Sequence, residues 1–409
     1  MPESCLTVRH QNSAISCYVA IVTYCFISRR LIAIYMTLST TIQSTLLRHS
    51  GAITTALRDA VHKAADGQTT TNSLQAFYGQ MHYHLGWVDT QLKPIQSNPG
   101  KLLRPTLLLL AYETAGAGGL ADGAIGEDNR HLRRALPAAA ALELTHNFTL
   151  IHDDIEDGDA ERRHRATLWK QWGIPQALNT GDGMFALSRL TLWGVLDEGV
   201  AGTTAARLGA TLDHACLVLS EGQYLDISFE QRLDISVAMY IDMIWRKTGA
   251  LMACAAEMGG LLGTSDKETI ESLRRFGEAM GVAFQVRDDI LGIWATAAEL
   301  GKTSAGDVYR RKKSLPILHA LEHASEHDQA FLREVYTQEA QLTSEQVAHI
   351  LAIFTQTKTR AYCCEFLAQQ CKVAHEALAS VPYYDTAIAS RARSDMQTLV
   401  HFVEETTRS

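Results

Sequence analysis

The stretch Leu142–Thr167, LELTHNFTLIHDDIEDGDAERRHRAT, puts a dense acidic cluster at the end of a long helix-forming run. No Pro or Gly interrupts it before Gly158, so it reads as a helix to about that point. On a helical wheel Asp153 and Asp157 lie one turn apart on one face, with Asp154 beside them. His146 falls two turns earlier on the same stripe. Such crowding is electrostatically unfavourable, because the dipole at a helix C-terminus favours cations and like charges one turn apart repel. A hard cation resolves the conflict, and oxygen ligands with room for water suit Mg²⁺. Asp153, Asp154 and Asp157 are therefore candidate metal ligands. Arg162-Arg163 follows, a cationic pair fit to hold phosphate oxygens. On its own an acidic helix end is more often solvated surface.

At 409 residues the length alone allows two or three domains, with ample core. With 46% hydrophobic residues, 20% charged and only 8 Pro, the composition is that of a globular protein and favours an all-α fold. A net charge of −8 argues against a nucleic-acid partner. The 8 Cys are scattered with no C-x-x-C pair, which points to a reducing compartment such as the cytoplasm and away from structural zinc.

Residues 1–36 differ from the rest. The apolar run 14–28 is closed, not preceded, by Arg29-Arg30, and it is shorter than the ~20 residues a membrane span needs. We expect an atypical extension, disordered or a mis-start ahead of Met36, with a weak membrane-surface anchor as the lesser alternative; no stable membrane insertion is expected. From 37 to 409 the chain reads as one helical domain. Apolar periodicity predicts helices over 40–64, 73–92, 101–114, 176–196, 203–226, 236–258, 273–294, 314–322 and 344–378. Strand-period alternation is missing.

Several further motifs carry chemistry. Lys101 and Arg104 are three apart before a helix, where two cations and helix-end N–H groups converge on phosphate. Lys247-Thr248-Gly249 interrupts an apolar helix, a poor core sequence. Gln285, Asp288 and Asp289 share a face of a helix apolar enough to be buried, and buried carboxylates must be paired or metal-bound. Gly301-Lys302 and the cationic run Asp307–Lys313 come next.

Together, Lys101-Leu-Leu-Arg104-Pro105, Asp153-Asp154-Ile-Glu-Asp157, Arg162-Arg163, Gly222-Gln223-x-x-Asp226, Lys247-Thr248, Phe284-Gln285-x-x-Asp288-Asp289 and Gly301-Lys302 match the trans-isoprenyl diphosphate synthases in order and spacing. The chain resembles that family over about residues 40–400. The resemblance implies an all-α, isoprenoid synthase-type helical bundle around a central cavity, and a homodimer. It implies three Mg²⁺ on the allylic diphosphate, two held by Asp153 and Asp157 and the third by Asp288. Arg162, Lys247, Thr248, Gln285 and Lys302 match positions that bind the allylic substrate. Lys101, Arg104, His146 and Arg163 match the isopentenyl diphosphate site. Phe148 and Thr149, five and four residues before the first Asp, match the positions that limit product length; Phe148 with Thr149 points to C20, geranylgeranyl diphosphate, with C15 as the alternative.

Three departures stand out. Gly292 occupies the place of a third Asp in the second acidic motif, His164-Arg165-Ala166-Thr167 replaces Gly-x-Pro-Thr, and Pro99-Gly100-Lys101 replaces two glycines and Lys. Rival readings are a class I terpene cyclase, which has no use for the isopentenyl site, and a non-catalytic subunit of a heteromeric synthase. A metal-dependent phosphohydrolase using His131, His146 and His152-Asp153 ranks below both, because His152 and His146 face apart on the wheel.

Overall fold

A helix that is apolar on every side is stable only in the interior. In the computed structural model, which describes residues 42–66, 74–95, 100–117, 130–230, 232–295, 305–338 and 340–407, two helices have that character. In chain order the helices are α1 (Ser50–Asp66), α2 (Gln75–His84), α3 (Leu103–Thr114), α4 (Leu136–Glu156), α5 (Leu168–Trp172) and α6 (Ile174–Trp193). Next come α7 (Gly202–Phe229), α8 (Val237–Ile244), α9 (Ala250–Gly263), α10 (Lys267–Trp294) and the short α11 (Gly306–Tyr309). The carboxyl-terminal set is α12 (Leu315–His323), α13 (Glu326–Thr337), α14 (Ser344–Gln356), α15 (Thr359–Ser380) and α16 (Ala387–Glu404). Strands β1 (Glu161–Arg162) and β2 (Arg165–Ala166) form a small antiparallel hairpin between α4 and α5.

The interior helices are α3, buried from Pro105 through Thr114, and α9, buried throughout except at Glu257. They pack on each other, and α9 also packs on α7 and α10. Ala138–Ala141 in the first turns of α4 are fully buried, and such short side chains let α3 and α6 approach closely. Helix α15 covers the far side of α10. The result is the expected all-α bundle, with a cavity of about 680 Å³ between the ends of α3, α4 and α10.

Several predicted boundaries move. The helix at 101–114 starts only at Leu103, because Leu102 takes a left-handed conformation at φ 48°. The pattern 73–92 is helical only to His84; the remainder turns back through an isolated bridge between Val88 and Pro94. The span 236–258 is split into α8 and α9 by a π turn at Trp245–Gly249. The span 344–378 is two helices, broken by left-handed Lys358. The sequence pattern passed over α13 and α16 altogether. Residues 1–36, Pro99 and Gly301-Lys302 lie outside the described residues.

Glu113 shows what burial demands of a charge. It lies on the buried α3 and is 2% exposed. Arg48 pairs with one carboxylate oxygen, which His49 also approaches at 3.2 Å, and His131 bonds the other at 2.9 Å. Burial pushes the Glu113 carboxyl up, but the hydrogen bonds from His131 and His49 and the charges of His49 and Arg48 outweigh it and hold the value at about 2. A group depressed on folding contributes stability that is complete above its unfolded value near 4.5 and fades as pH falls toward 2. We predict that Glu113→Gln lowers unfolding free energy by about 3 kcal/mol at neutral pH. Denaturant titrations across pH should also find that the variant has lost much of the native protein's decline between those two values.

Candidate active site

Helix α4 ends at Glu156, and Asp157 closes it by donating its N–H to the Asp153 carbonyl at 2.8 Å. The Asp153 carboxyl is pushed up to about 6, first by burial, against the pull of Lys247, and then by Asp157 and Glu156. Asp157 is raised too, again chiefly by burial, with Asp226 and Asp159 adding to it. Burial and neighbouring acids make ionising these two carboxyls costly, and a hard divalent cation would offset that cost, so Asp153 and Asp157 fit magnesium.

Asp154 goes elsewhere. It is buried and accepts from Arg162 Nε at 2.6 Å, so this carboxylate positions an arginine instead of joining the face of Asp153. Glu156, off that face as the wheel places it, accepts from Gln223 Nε2 at 2.8 Å.

Lys247 enters from the π turn, whose extra residue bulges it away from the regular helical surface. Its Nζ lies 2.5 Å from Asp226 Oδ2. Gly222, one turn before Asp226, permits this approach: a Cβ there would sit 2.3 Å from the Lys247 backbone nitrogen. Thus Gly222, Asp226 and Lys247 form one joint between α7 and the π turn. Thr248 donates to Gln285 Oε1 at 3.4 Å, and Gln285 in turn reaches Asp289 at 3.3 Å.

The second acidic pair divides in the same manner as the first. Asp288 is exposed and lines the cavity, with Arg287 Nη1 at 3.7 Å. Asp289 is fully buried, where Tyr240 OH donates to it at 2.5 Å and Lys312 Nζ at 2.9 Å. Arg287 lies over the Phe402 ring at 4.4 Å, which brings α16 to the edge of the site.

Lys101, Arg104, His146 and Arg163 meet in the cavity, as their resemblance to one site implies. Arg104 Nη1 lies 3.0 Å from His146 Nε2. An arginine only donates, so that nitrogen accepts and the His146 proton sits on Nδ1. Burial and the charges of Arg104 and Arg163 hold His146 well below its ordinary pKa, neutral. The hairpin turns through Arg163 and His164, both left-handed at φ 52° and 60°, a conformation unfavourable for non-glycine residues. Arg165 fastens it, donating to Tyr83 O at 2.9 Å and Val88 O at 2.6 Å and stacking 4.0 Å from the Tyr83 ring. Gly100, at φ 100°, lies so close to the Arg163 guanidinium that a Cβ would be 2.6 Å from Nη2.

Three lining residues were missed from the sequence. Glu143 is buried one turn before His146 and pushed up to about 7 by burial, against the pull of Arg104, Asn147 and Arg163. His84 is lowered to about 3 by burial and by Arg163, Arg162 and Arg165. Arg287 stood in plain view beside Asp288. An acidic residue on the stripe of His146 was a usable signal for Glu143; His84 gave none.

Phe148 stacks edge-to-face on Phe185 of α6 and on His152, with centroids 5.0 and 5.8 Å apart. Thr149 is buried, its hydroxyl donating to the His146 carbonyl at 2.8 Å. The histidines of the hydrolase reading disperse: His131 bonds Glu113, His152 lies 3.6 Å from Asp182, and His146 holds Arg104.

The polyprenyl synthetase family model matches residues 86–354. A geranylgeranyl diphosphate synthase of Mycobacterium tuberculosis is 38% identical over 271 residues, covering 66% of this chain and 72% of that one. A (2E,6E)-farnesyl diphosphate synthase of Mycobacterium bovis is 39% identical over 241 residues, 59% of this chain and 62% of its own. The crystal structure of a polyprenyl synthetase from Streptomyces coelicolor A3(2) superposes with a TM-score of 0.74 at 34% identity, covering 88% of this chain and 99% of that one. With the motifs of both acidic clusters carried on this bundle, the chain belongs to the polyprenyl synthetase family of prenyltransferases.

Proposed function

We propose that the protein condenses isopentenyl diphosphate with an allylic diphosphate, head to tail, to an all-trans prenyl diphosphate of C20, with C15 as the alternative product. The observation that carries this is one cavity lined by a member of each acidic motif, Asp154 and Asp288, together with Lys101, Arg104, His146 and Arg163. A terpene cyclase would have no second diphosphate for those cations. The intact first acidic motif also disfavours a non-catalytic subunit.

The family is metal-dependent. Magnesium, which Asp153, Asp157 and Asp288 would hold as three ions, supplies the charge that lets the allylic diphosphate depart. Lys247 and Arg162, each tethered by a carboxylate, present fixed positive charge to that diphosphate, and Lys302 is assigned the same task. Thr248 and Gln285 aim hydroxyl and amide dipoles at the developing allylic cation. Arg104, Lys101 and Arg163 orient isopentenyl diphosphate, while His146 keeps Arg104 in place. The double bond attacks C1 of the allylic chain, and released pyrophosphate takes the proton. Phe148, backed by Phe185, limits the growing tail.

A homodimer is supported by apolar side chains exposed on α6 and α7, among them Leu178, Leu190, Trp193, Leu217 and Tyr224. No helix among the described residues is long and apolar enough to cross a membrane. Cysteines without disulfide partners among the described residues agree with a cytoplasmic setting.

Release of pyrophosphate from isopentenyl diphosphate plus each allylic diphosphate tests the activity. Asp153→Ala and Asp288→Ala should each cost about 10²-fold or more in turnover. Glu156→Ala should cost far less, and equal losses at Asp153 and Glu156 would overturn the assigned face.

Chain length is read by chromatography of the dephosphorylated products. Phe148→Ala should lengthen the product and Thr149→Phe shorten it. An unchanged distribution from Phe148→Ala would put the floor on another helix.

At pH above about 7 Glu143 ionises and competes for Arg104 and Arg163. Pyrophosphate affinity of the native protein should therefore fall relative to Glu143→Gln as pH rises through that value. A constant ratio between the two proteins from pH 6 to 8.5 would contradict this.

A further inference from the structure

Three side chains that bind metals well meet where α15 packs on the last turn of α16, and none of them lines the substrate cavity. His401 and Glu404 stand three apart on α16, hence on one face, and His375 reaches them from α15. One imidazole nitrogen from each histidine and one oxygen of the carboxylate all lie within 4.8 Å of one another. His375 Nε2 is 3.0 Å from Glu404 Oε1, and the two imidazole rings are 5.4 Å apart between centroids.

Zinc bonds histidine nitrogen and carboxylate oxygen at about 2.0–2.2 Å, so the edge of its tetrahedron is about 3.4 Å. The His375–Glu404 pair is close to that edge as it stands. His401 is exposed, so its ring can swing the remaining distance without disturbing the core, while fully buried Val400 and Val403 hold its backbone in place. Two imidazoles favour a borderline ion over magnesium, which prefers oxygen, and two histidines, one carboxylate and a water suit zinc. A single carboxylate leaves such an ion net positive, and the C-terminal turn of α16 favours positive charge. The scattered cysteines argue against thiolate zinc. Cys371, one turn before His375, is fully buried and outside the converging set.

We propose that His375, His401 and Glu404 bind zinc, with water in the fourth position, and that the ion staples α16 to α15. Without metal, His375 Nε2 carries the proton that bonds Glu404; zinc takes that nitrogen's lone pair, and the ring proton is then on Nδ1. The stapled turn also carries Phe402, whose ring lies against Arg287, so the ion stiffens the helix that reaches the edge of the active site.

The test is calorimetric titration of tag-free protein with Zn²⁺, with Mg²⁺ in excess to compete zinc away from the acidic clusters of the cavity. Thermal unfolding is followed alongside. Native protein should bind one equivalent of Zn²⁺ and melt at a higher temperature with it. His401→Ala changes an exposed position and keeps the core intact. It should weaken Zn²⁺ binding about 100-fold, since even groups that only support a ligand are worth about 10–100-fold, and should abolish the rise in melting temperature. His375→Ala and Glu404→Ala should lose as much. Co²⁺ in place of Zn²⁺ should give native protein the visible absorption of a four-coordinate ion, and His401→Ala should lack it. The inference is overturned if native protein binds no Zn²⁺ under these conditions, or if His401→Ala binds it as tightly as native protein does. Neither failure touches the prenyltransferase reading, because the two sites share no residue.

Discussion

Carboxylates withdrawn from water persist only when a cation or a proton answers each one, and this bundle carries two sets of them around one cavity. The solution is the same in both. Asp154 is bonded by Arg162, Asp226 by Lys247 and Asp289 by Lys312. Each of these pairs settles one acidic residue and fixes one cation. Asp153, Asp157 and Asp288 remain as the carboxylates whose charge is not settled by such a bond. The helices have to be rigid for this to hold, since a charge displaced by an ångström would meet either solvent or a like charge. That rigidity comes from α3 and α9, which have almost no polar surface to expose.

The opposite wall solves the complementary problem. Lys101, Arg104 and Arg163 bring positive charge together; His146 and His84 beside them are kept neutral, below their ordinary pKa, and the Glu143 carboxyl rises to about 7. The hairpin of β1 and β2 adds Arg162, Arg163 and Arg165 to the cavity lining, which also carries Asp154 and Asp288.

Much of this was legible in the sequence, because motifs on long uninterrupted helices obey the helical wheel. Asp153, Asp157 and the placement of Glu156 off their face follow from spacing alone. What escaped has identifiable causes. The π turn adds a residue without any Gly or Pro before Gly249 to announce it, so 236–258 reads as continuous. Lys358 breaks α14 from α15 with no residue type that signals a break. Asp154 sits beside Asp153 in sequence, yet its bond to Arg162 depends on how the hairpin folds back. The link from Phe148 to Phe185 joins different helices, and wheel geometry has no term for a neighbour.

The π turn also changes what counts as a small alteration. A regular helix advances about 100° per residue, so the extra residue at Trp245–Gly249 sets α8 and α9 a full step out of phase. The buried flank of α8, Tyr240, Met243 and Ile244, and the wholly buried surface of α9 are matched to that offset. Loss of one residue here would leave a better helix and a worse protein, since every contact of α9 with α3, α7 and α10 would turn away together. The five residues Trp245–Gly249 therefore set the register of α9 as a unit.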